Sequence, residues 1–277
     1  MKKTLNSIRE QLSTFYPKEE IRSVSLWIAE FVTKCSPTQL LAFDVELTSE
    51  WELQINEIIE KLQKNYPIQY IIGEVEFCDL RFSVNENVLI PRPETAELVL
   101  WILQETKAKT ILDIGTGSGC ISISLAKKIE SAQIYAFDVS TLAIEVAKKN
   151  AIKNGVKNIH FQEVNILKPY EGEEKYDLIV SNPPYITQKE KQDMQKQIID
   201  FEPNIALFVE DEEPLIFYEK IAKFAQQHLQ KNGFLFFEIN RQFGREIISL
   251  LKNLNFSEIE LKKDSFGNDR MIKAIWK

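Results

Sequence analysis

The stretch "ILDIGTGSGC", residues 111–120, runs from apolar residues through an aspartate into three glycines at alternate positions. Glycine tolerates positive φ and lets the backbone approach a ligand closely, so the stretch reads as a buried strand turning into a helix beside a binding site. A dinucleotide fold would favour G-x-G-x-x-G, with a pyrophosphate at the helix N-terminus. Here the spacing is G-x-G-x-G after an acidic residue. A glycine-rich strand-to-helix turn without a ligand is the competing reading.

Outward from this loop the pattern is strand and helix in turn. The helix "ETAELVLWILQET" precedes the strand "TILDI", and strands follow at "QIYAFD", "NIHFQE", "YDLIVS" and "FLFFEI". Helical segments separate most of them, including "PLIFYEKIAKFAQQHLQK" before Gly233. That alternation predicts an α/β fold with a doubly wound, mostly parallel sheet. The tail "FSEIELKKDSFGNDRMIKAIW" holds two strands with a connection too short for a crossover, which makes the last strand antiparallel.

Residues 1–73 instead carry apolar residues at helical spacing, in "TLNSIREQLSTFY", "KEEIRSVSLWIAEFVTK", "SPTQLLAF" and "SEWELQINEIIEKLQK". Ser49 with Glu52 forms a capping-box pattern that opens the last of these. Residues 74–90, "EVEFCDLRFSVNENVLI", alternate as a β-hairpin joined around Ser83 to Asn87 and link this helical domain to the α/β domain, 91–277.

Composition narrows the chemistry. With 277 residues, 44% hydrophobic and 27% charged, the chain is expected to bury a sizeable core. A net charge of −7 argues against a general electrostatic grip on nucleic acid. Cys35, Cys78 and Cys120 are odd in number and far apart, unlike a disulfide framework or zinc ligands, so a reducing cytoplasm is expected. The start "MKKTLNSIRE" leads into no apolar h-region, and no run approaches membrane-spanning length. His160 and His228 stand apart, which disfavours histidine catalysis and a metal site.

Two further strand ends matter. "YAFDVS" puts Asp138 where a carboxylate accepts hydrogen bonds from both hydroxyls of a ribose, with a helix cap as its competing role. In "YDLIVSNPPYI", residues 176–186, each proline fixes its own φ and pushes the preceding residue out of the α region. Asn182 and Pro183 are thereby held extended. The turn presents the Asn182 side chain and nearby carbonyls as fixed acceptors, with Pro184 and the flat face of Tyr185 beside them, a clamp for a planar NH2 group.

The loop from Asp113 through Gly115, Thr116, Gly117, Ser118 and Gly119 resembles the S-adenosylmethionine (SAM) loop of class I methyltransferases, and "NPPY" resembles the clamp of amino-methyltransferases. Together with "PIQYIIG" (67–73), "LIPRPET" (89–95), "DFEP" (200–203) and "SFGNDRM" (265–271), the chain is similar over nearly its whole length to the PrmC (HemK) family of release-factor glutamine methyltransferases. The resemblance implies a class I methyltransferase sheet, SAM as cofactor with S-adenosylhomocysteine as product, and no metal. It implies methylation of the glutamine side-chain nitrogen in the GGQ motif of class-1 peptide chain release factors, in the cytoplasm. Residues 1–73 would recognise that substrate, and the enzyme is expected as a monomer without nucleic acid or membrane partners.

Within this frame Asp138 would hold the ribose, and Asn165 and Ile166 in "EVNIL" would meet adenine. Arg92, Glu94 and Thr95 would line the SAM or peptide pocket, or else belong to a helix start with Pro93 near its first position. Three positions depart from the family pattern: Asn165 for aspartate, Ala96 for glutamate and Asn240 for glycine. Asn165 keeps a carbonyl acceptor for an adenine amino group. A nucleic-acid adenine or guanine N-methyltransferase, or a non-catalytic SAM-binding adaptor, are the rival readings.

Overall fold

Apolar side chains at four-residue spacing build the first part of the chain, as in Val24, Ile28 and Val32, which are all buried. The structure is a computed structural model that describes residues 2–42 and 48–277. The helices are α1 (Lys2–Leu12), α2 (Lys18–Thr33), α3 (Pro37–Ala42), α4 (Ser49–Gln63) and α5 (Ile68–Ile72). Phe43, expected to end α3, lies outside the described residues. Leu5, Ile8, Leu12, Ile55, Ile59 and Leu62 close one helical core with the α2 residues. The expected cap of α4 is displaced by one residue: Thr48, not Ser49, accepts the Trp51 N–H at 3.3 Å. Backbone contacts group Met1–Gly73 with Lys196–Phe201 as one compact unit and Glu74–Gln195 with Glu202–Lys277 as another.

The second unit opens with a hairpin, β1 (Glu74–Phe77) and β2 (Leu80–Ser83). Its turn is not at Ser83 to Asn87, as the alternation suggested, but at Cys78 and Asp79, whose φ values are 49° and 64°. A two-residue hairpin turn of type I′ has positive φ at both central positions, which matches the strand twist. No glycine advertised it.

The remaining elements are α6 (Pro93–Glu105), β3 (Thr110–Ile114), α7 (Cys120–Lys128), β4 (Gln133–Asp138), α8 (Thr141–Lys153), β5 (Ile159–Glu163), β6 (Tyr176–Ser181) and β7 (Ile186–Thr187). They continue with α9 (Lys196–Phe201), α10 (Asn204–Leu207), β8 (Phe208–Val209), α11 (Ile216–His228), β9 (Leu229–Glu238), α12 (Gly244–Asn253), β10 (Ser257–Lys263) and β11 (Asp269–Trp276).

The seven-stranded sheet has the order β10-β11-β9-β6-β3-β4-β5. Every pairing from β9 through β5 is parallel, and β11 enters antiparallel between β9 and β10. Alternation sorts its two faces. Leu112, Ile114, Ile179, Leu235, Phe237, Ile272 and Ala274 share a buried cluster with Tyr218 and Ile221 of α11 and Ile247 and Leu251 of α12. On the opposite face Phe236 meets Trp101 of α6 edge to face, with ring centroids 5.3 Å apart. The chain leaves β3 toward β4 and β5, then returns to place β6 on the other side of β3. Such a reversal opens a crevice at the carboxyl ends of β3 and β6. Among the described residues no helix is long and apolar enough to cross a membrane.

Candidate active site

Gly115 and Thr116 both donate their N–H groups to the Phe137 carbonyl, at 2.8 and 2.9 Å, and so bend the end of β3 over β4. Gly119, at φ 81°, then starts α7; a β-carbon there would stand 2.7 Å from Ile123 Cδ1. The loop is held from beneath by Asp113, which is wholly buried. Its Oδ2 accepts the Thr116 hydroxyl at 2.7 Å and the Ser122 N–H at 3.2 Å, while Oδ1 has no partner among the described residues. Burial raises this carboxyl to about 6 against the hydrogen bonds from Thr116 and Ser122. Asp113, Thr116, Ser118 and Gly119 shape the loop without lining the cleft beside it.

That cleft is lined by Gly115, Gly117, Asp138, Asn165, Ile166 and Asn182, among others, with Pro183 and Pro184. Asp138 accepts the Gly117 N–H at 2.8 Å and the Ser140 N–H at 2.9 Å. Burial raises its carboxyl, and the backbone N–H groups of Ser140, Gly117 and Val139 oppose the rise. The helix-cap role does not fall to Asp138, because Ser140 caps α8 by accepting the Ala143 N–H at 3.2 Å. Asn165 lines the cleft, and its Oδ1 already accepts the Leu167 N–H at 3.0 Å. A second lone pair on that oxygen is left for a ligand.

At the end of β6, Asn182 Nδ2 donates to Thr95 Oγ1 at 3.3 Å. Thr95 donates to Glu238 Oε2 at 2.7 Å, and the Tyr185 hydroxyl donates to Glu238 Oε1 at 3.2 Å. Glu238 is 1% exposed. Burial raises its carboxyl, while Thr95, the Arg270 cation and Tyr185 pull it back. Burial and that carboxylate push the Tyr185 phenol up. Tyr185 stands outside the cleft lining, and its backbone carbonyl accepts from Asn240 Nδ2 at 3.0 Å. Asn240 Nδ2 also donates to Glu190 Oε2 at 2.9 Å, which ties the segment after the Pro-Pro turn to the end of β9.

Of the residues 92–95, Thr95 hydrogen-bonds to a residue of the cleft lining, Asn182. Arg92 is the N-cap residue of α6 and pairs with the buried carboxylate of Glu202 in "DFEP", which also accepts the Ile90 N–H at 3.2 Å. Glu94 sits in the first helical turn.

Sequence reading missed Glu238 and Asn150. Asn150, fully buried on α8, donates to the Ser118 carbonyl at 2.9 Å and the Ser83 carbonyl at 3.0 Å, clamping the glycine loop to the hairpin. The one available signal for Glu238 was a carboxylate closing the apolar run "FLFFE" at the carboxyl end of a strand.

Two family models match the chain: "PrmC N-terminal domain" over residues 3–73 and "Methyltransferase small domain" over residues 94–204. A protein of Flavobacterium psychrophilum named release factor glutamine methyltransferase is 46% identical over 272 residues, covering 96% of this chain and 95% of its own. One of the same name from Bacteroides thetaiotaomicron is 42% identical over 270 residues, covering 96% and 97%. Among solved structures, a methyltransferase from Pyrococcus furiosus is similar with a TM-score of 0.56 at 19% identity, covering 78% of this chain and 98% of that one. A 16S rRNA N2 G1207 methyltransferase of T. thermophilus, in complex with AdoMet and guanosine, is similar with a TM-score of 0.52 at 16% identity, covering 74% and 50%.

Proposed function

The chain belongs to the release factor glutamine methyltransferase family, and from that premise we propose that it transfers a methyl group from SAM to the side-chain amide nitrogen (N5) of the glutamine in the GGQ motif of class-1 peptide chain release factors. The observation that carries this is the meeting of the glycine loop and the Asn-Pro-Pro-Tyr turn at one cleft. The cleft residues fit the cofactor: a tightly turned backbone at Gly115 and Gly117, a half-buried carboxylate at Asp138 for the ribose, and Asn165 with Ile166 for adenine. Bound SAM supplies an electrophilic methyl group on a sulfonium sulfur, and S-adenosylhomocysteine is released.

The chain's own part is orientation. An amide nitrogen is a poor nucleophile because its lone pair is delocalised into the carbonyl. Asn182 Oδ1 and the Pro183 carbonyl accept the two amide hydrogens and fix the nitrogen, and such positioning supplies several of the roughly 7–11 kcal/mol open to it. The same acceptors stabilise positive charge as it develops on that nitrogen. No residue is required as a general base, since the alkylated nitrogen is acidic and loses its proton late. Glutamate is rejected because its carboxylate would oppose two oxygen acceptors.

Residues 1–73 serve in this reading as the substrate-recognition domain, 74–90 as the linking hairpin and 91–277 as the methyltransferase domain. Contacts to a second surface of the release factor would raise the local concentration of its GGQ loop. The test offers release factor, DNA and ribosomal RNA in parallel with tritiated SAM. Label is expected on the release factor alone. Label in either nucleic acid, or SAM binding without any transfer, would refute the proposal.

A further inference from the structure

An amide side chain faces a ligand with either its oxygen or its nitrogen, and only the oxygen serves a substrate NH2. The surroundings of Asn182 decide which. Thr95, 2% exposed in the first turn of α6, has a single hydroxyl hydrogen, and its oxygen lies between Glu238 Oε2 at 2.7 Å and Asn182 Nδ2 at 3.3 Å. The hydroxyl hydrogen lies along the shorter of these two contacts, donated to Glu238. A lone pair of the hydroxyl is then what meets Asn182. Whatever faces a lone pair must donate, which assigns Nδ2 to Thr95 and leaves Oδ1 for the ligand. Tyr185 donates to the other carboxylate oxygen at 3.2 Å and so fixes Glu238 in turn.

We infer that Thr95 and Glu238 are an orienting pair that holds the Asn182 amide oxygen-out, and that this pair selects a substrate bearing an NH2 group against a carboxylate of the same shape. The inference rests on the proposed glutamine methylation and names what makes that site specific. Three separate elements meet here: Thr95 from α6, Asn182 after β6 and Glu238 at the end of β9. A helical threonine hydroxyl commonly bonds back to its own helix. This one instead spans two strand ends. Thr95 and Glu238 are positioning residues, acting through Asn182.

The test compares the full chain with Thr95→Val, which keeps the shape and removes the hydroxyl, and Thr95→Ser, which restores it. Each is assayed on a release factor carrying GGQ, with a Gly-Gly-Glu variant of that factor as competitor and SAM affinity measured by calorimetry. Parental turnover on GGQ is the precondition, and its absence would refute the proposed function rather than this inference. With that turnover present, Thr95→Val should bind SAM within about twofold of the parent and lose kcat by roughly 10–100-fold. The Gly-Gly-Glu factor should inhibit Thr95→Val more strongly than the parent, because a released amide turns its NH2 toward the carboxylate. Thr95→Ser should restore both properties. Parental kcat in Thr95→Val, or a loss of kcat with unchanged preference between GGQ and Gly-Gly-Glu, would overturn the inference. If Thr95→Val fails to bind SAM, Thr95→Ala, which makes no demand for space, is read by the same two criteria.

Discussion

The backbone oxygen of Asn182 lies 4.0 Å from the position that a β-carbon on Gly115 would occupy. The turn that ends β6 and the loop that ends β3 therefore approach each other at backbone distance. Parallel pairing of β3 with β6, in which Ile114 registers with Ser181, is what brings them there.

Asp138 faces the cleft from the end of the neighbouring strand. Asp138→Ala removes charge-assisted acceptors and also frees the Gly117 N–H. SAM affinity should fall by roughly 1.5–3 kcal/mol. Calorimetry that finds parental affinity in a folded variant would take Asp138 out of the site.

Gly119 tests the loop itself. Gly119→Ala combines a left-handed φ of 81° with a β-carbon 2.7 Å from Ile123 Cδ1. Backbone strain and overpacking together should destabilise the protein by about 2–4 kcal/mol. A urea midpoint unchanged from the parent would contradict this geometry.

Burial holds the Asp113 carboxyl at about 6, above its ordinary value of 3.8. The folded protein therefore keeps a proton there that the unfolded chain releases as pH rises from near 4. Stability is lost across that interval, to the extent of about 3 kcal/mol. Asp113→Asn does not titrate, so its stability relative to the parent should climb between pH 4 and 6 and then level off. Unfolding free energies that differ by a constant amount across this range would show that Asp113 is not shifted.

The central strands β3, β4 and β6 were legible because each is a short, largely apolar run bounded by polar or turn residues, and they lie where those runs do. What escaped reading has specific causes. The hairpin turn uses Cys78 and Asp79 at positive φ, a conformation that aspartate tolerates but that cysteine does not announce. Gly233 looked like a helix stop, but pairing of Leu229 with Tyr176 ends α11 at His228 and draws the polar residues 230–232 into β9. Thr48 and Ser49 are both good caps, and chain geometry chose the first. Glu238 was hidden for another reason: its partners Thr95 and Tyr185 are 143 and 53 residues away, a proximity that only the folded sheet creates.

Asn182→Ala should separate binding from chemistry. SAM affinity should stay close to parental, while the methyl-transfer rate falls on the order of 10²–10³-fold, as for loss of one aligned polar partner. Parental turnover with SAM equally bound would remove the acceptor role from Asn182.

The most direct measurement is where the methyl group goes. A class-1 release factor incubated with the protein and SAM would be digested and fragmented in a mass spectrometer. A single added methyl is expected on the side-chain amide of the GGQ glutamine, absent when that glutamine is replaced by glutamate. A methyl group on any other residue, or one that persists in the glutamate variant, would contradict it.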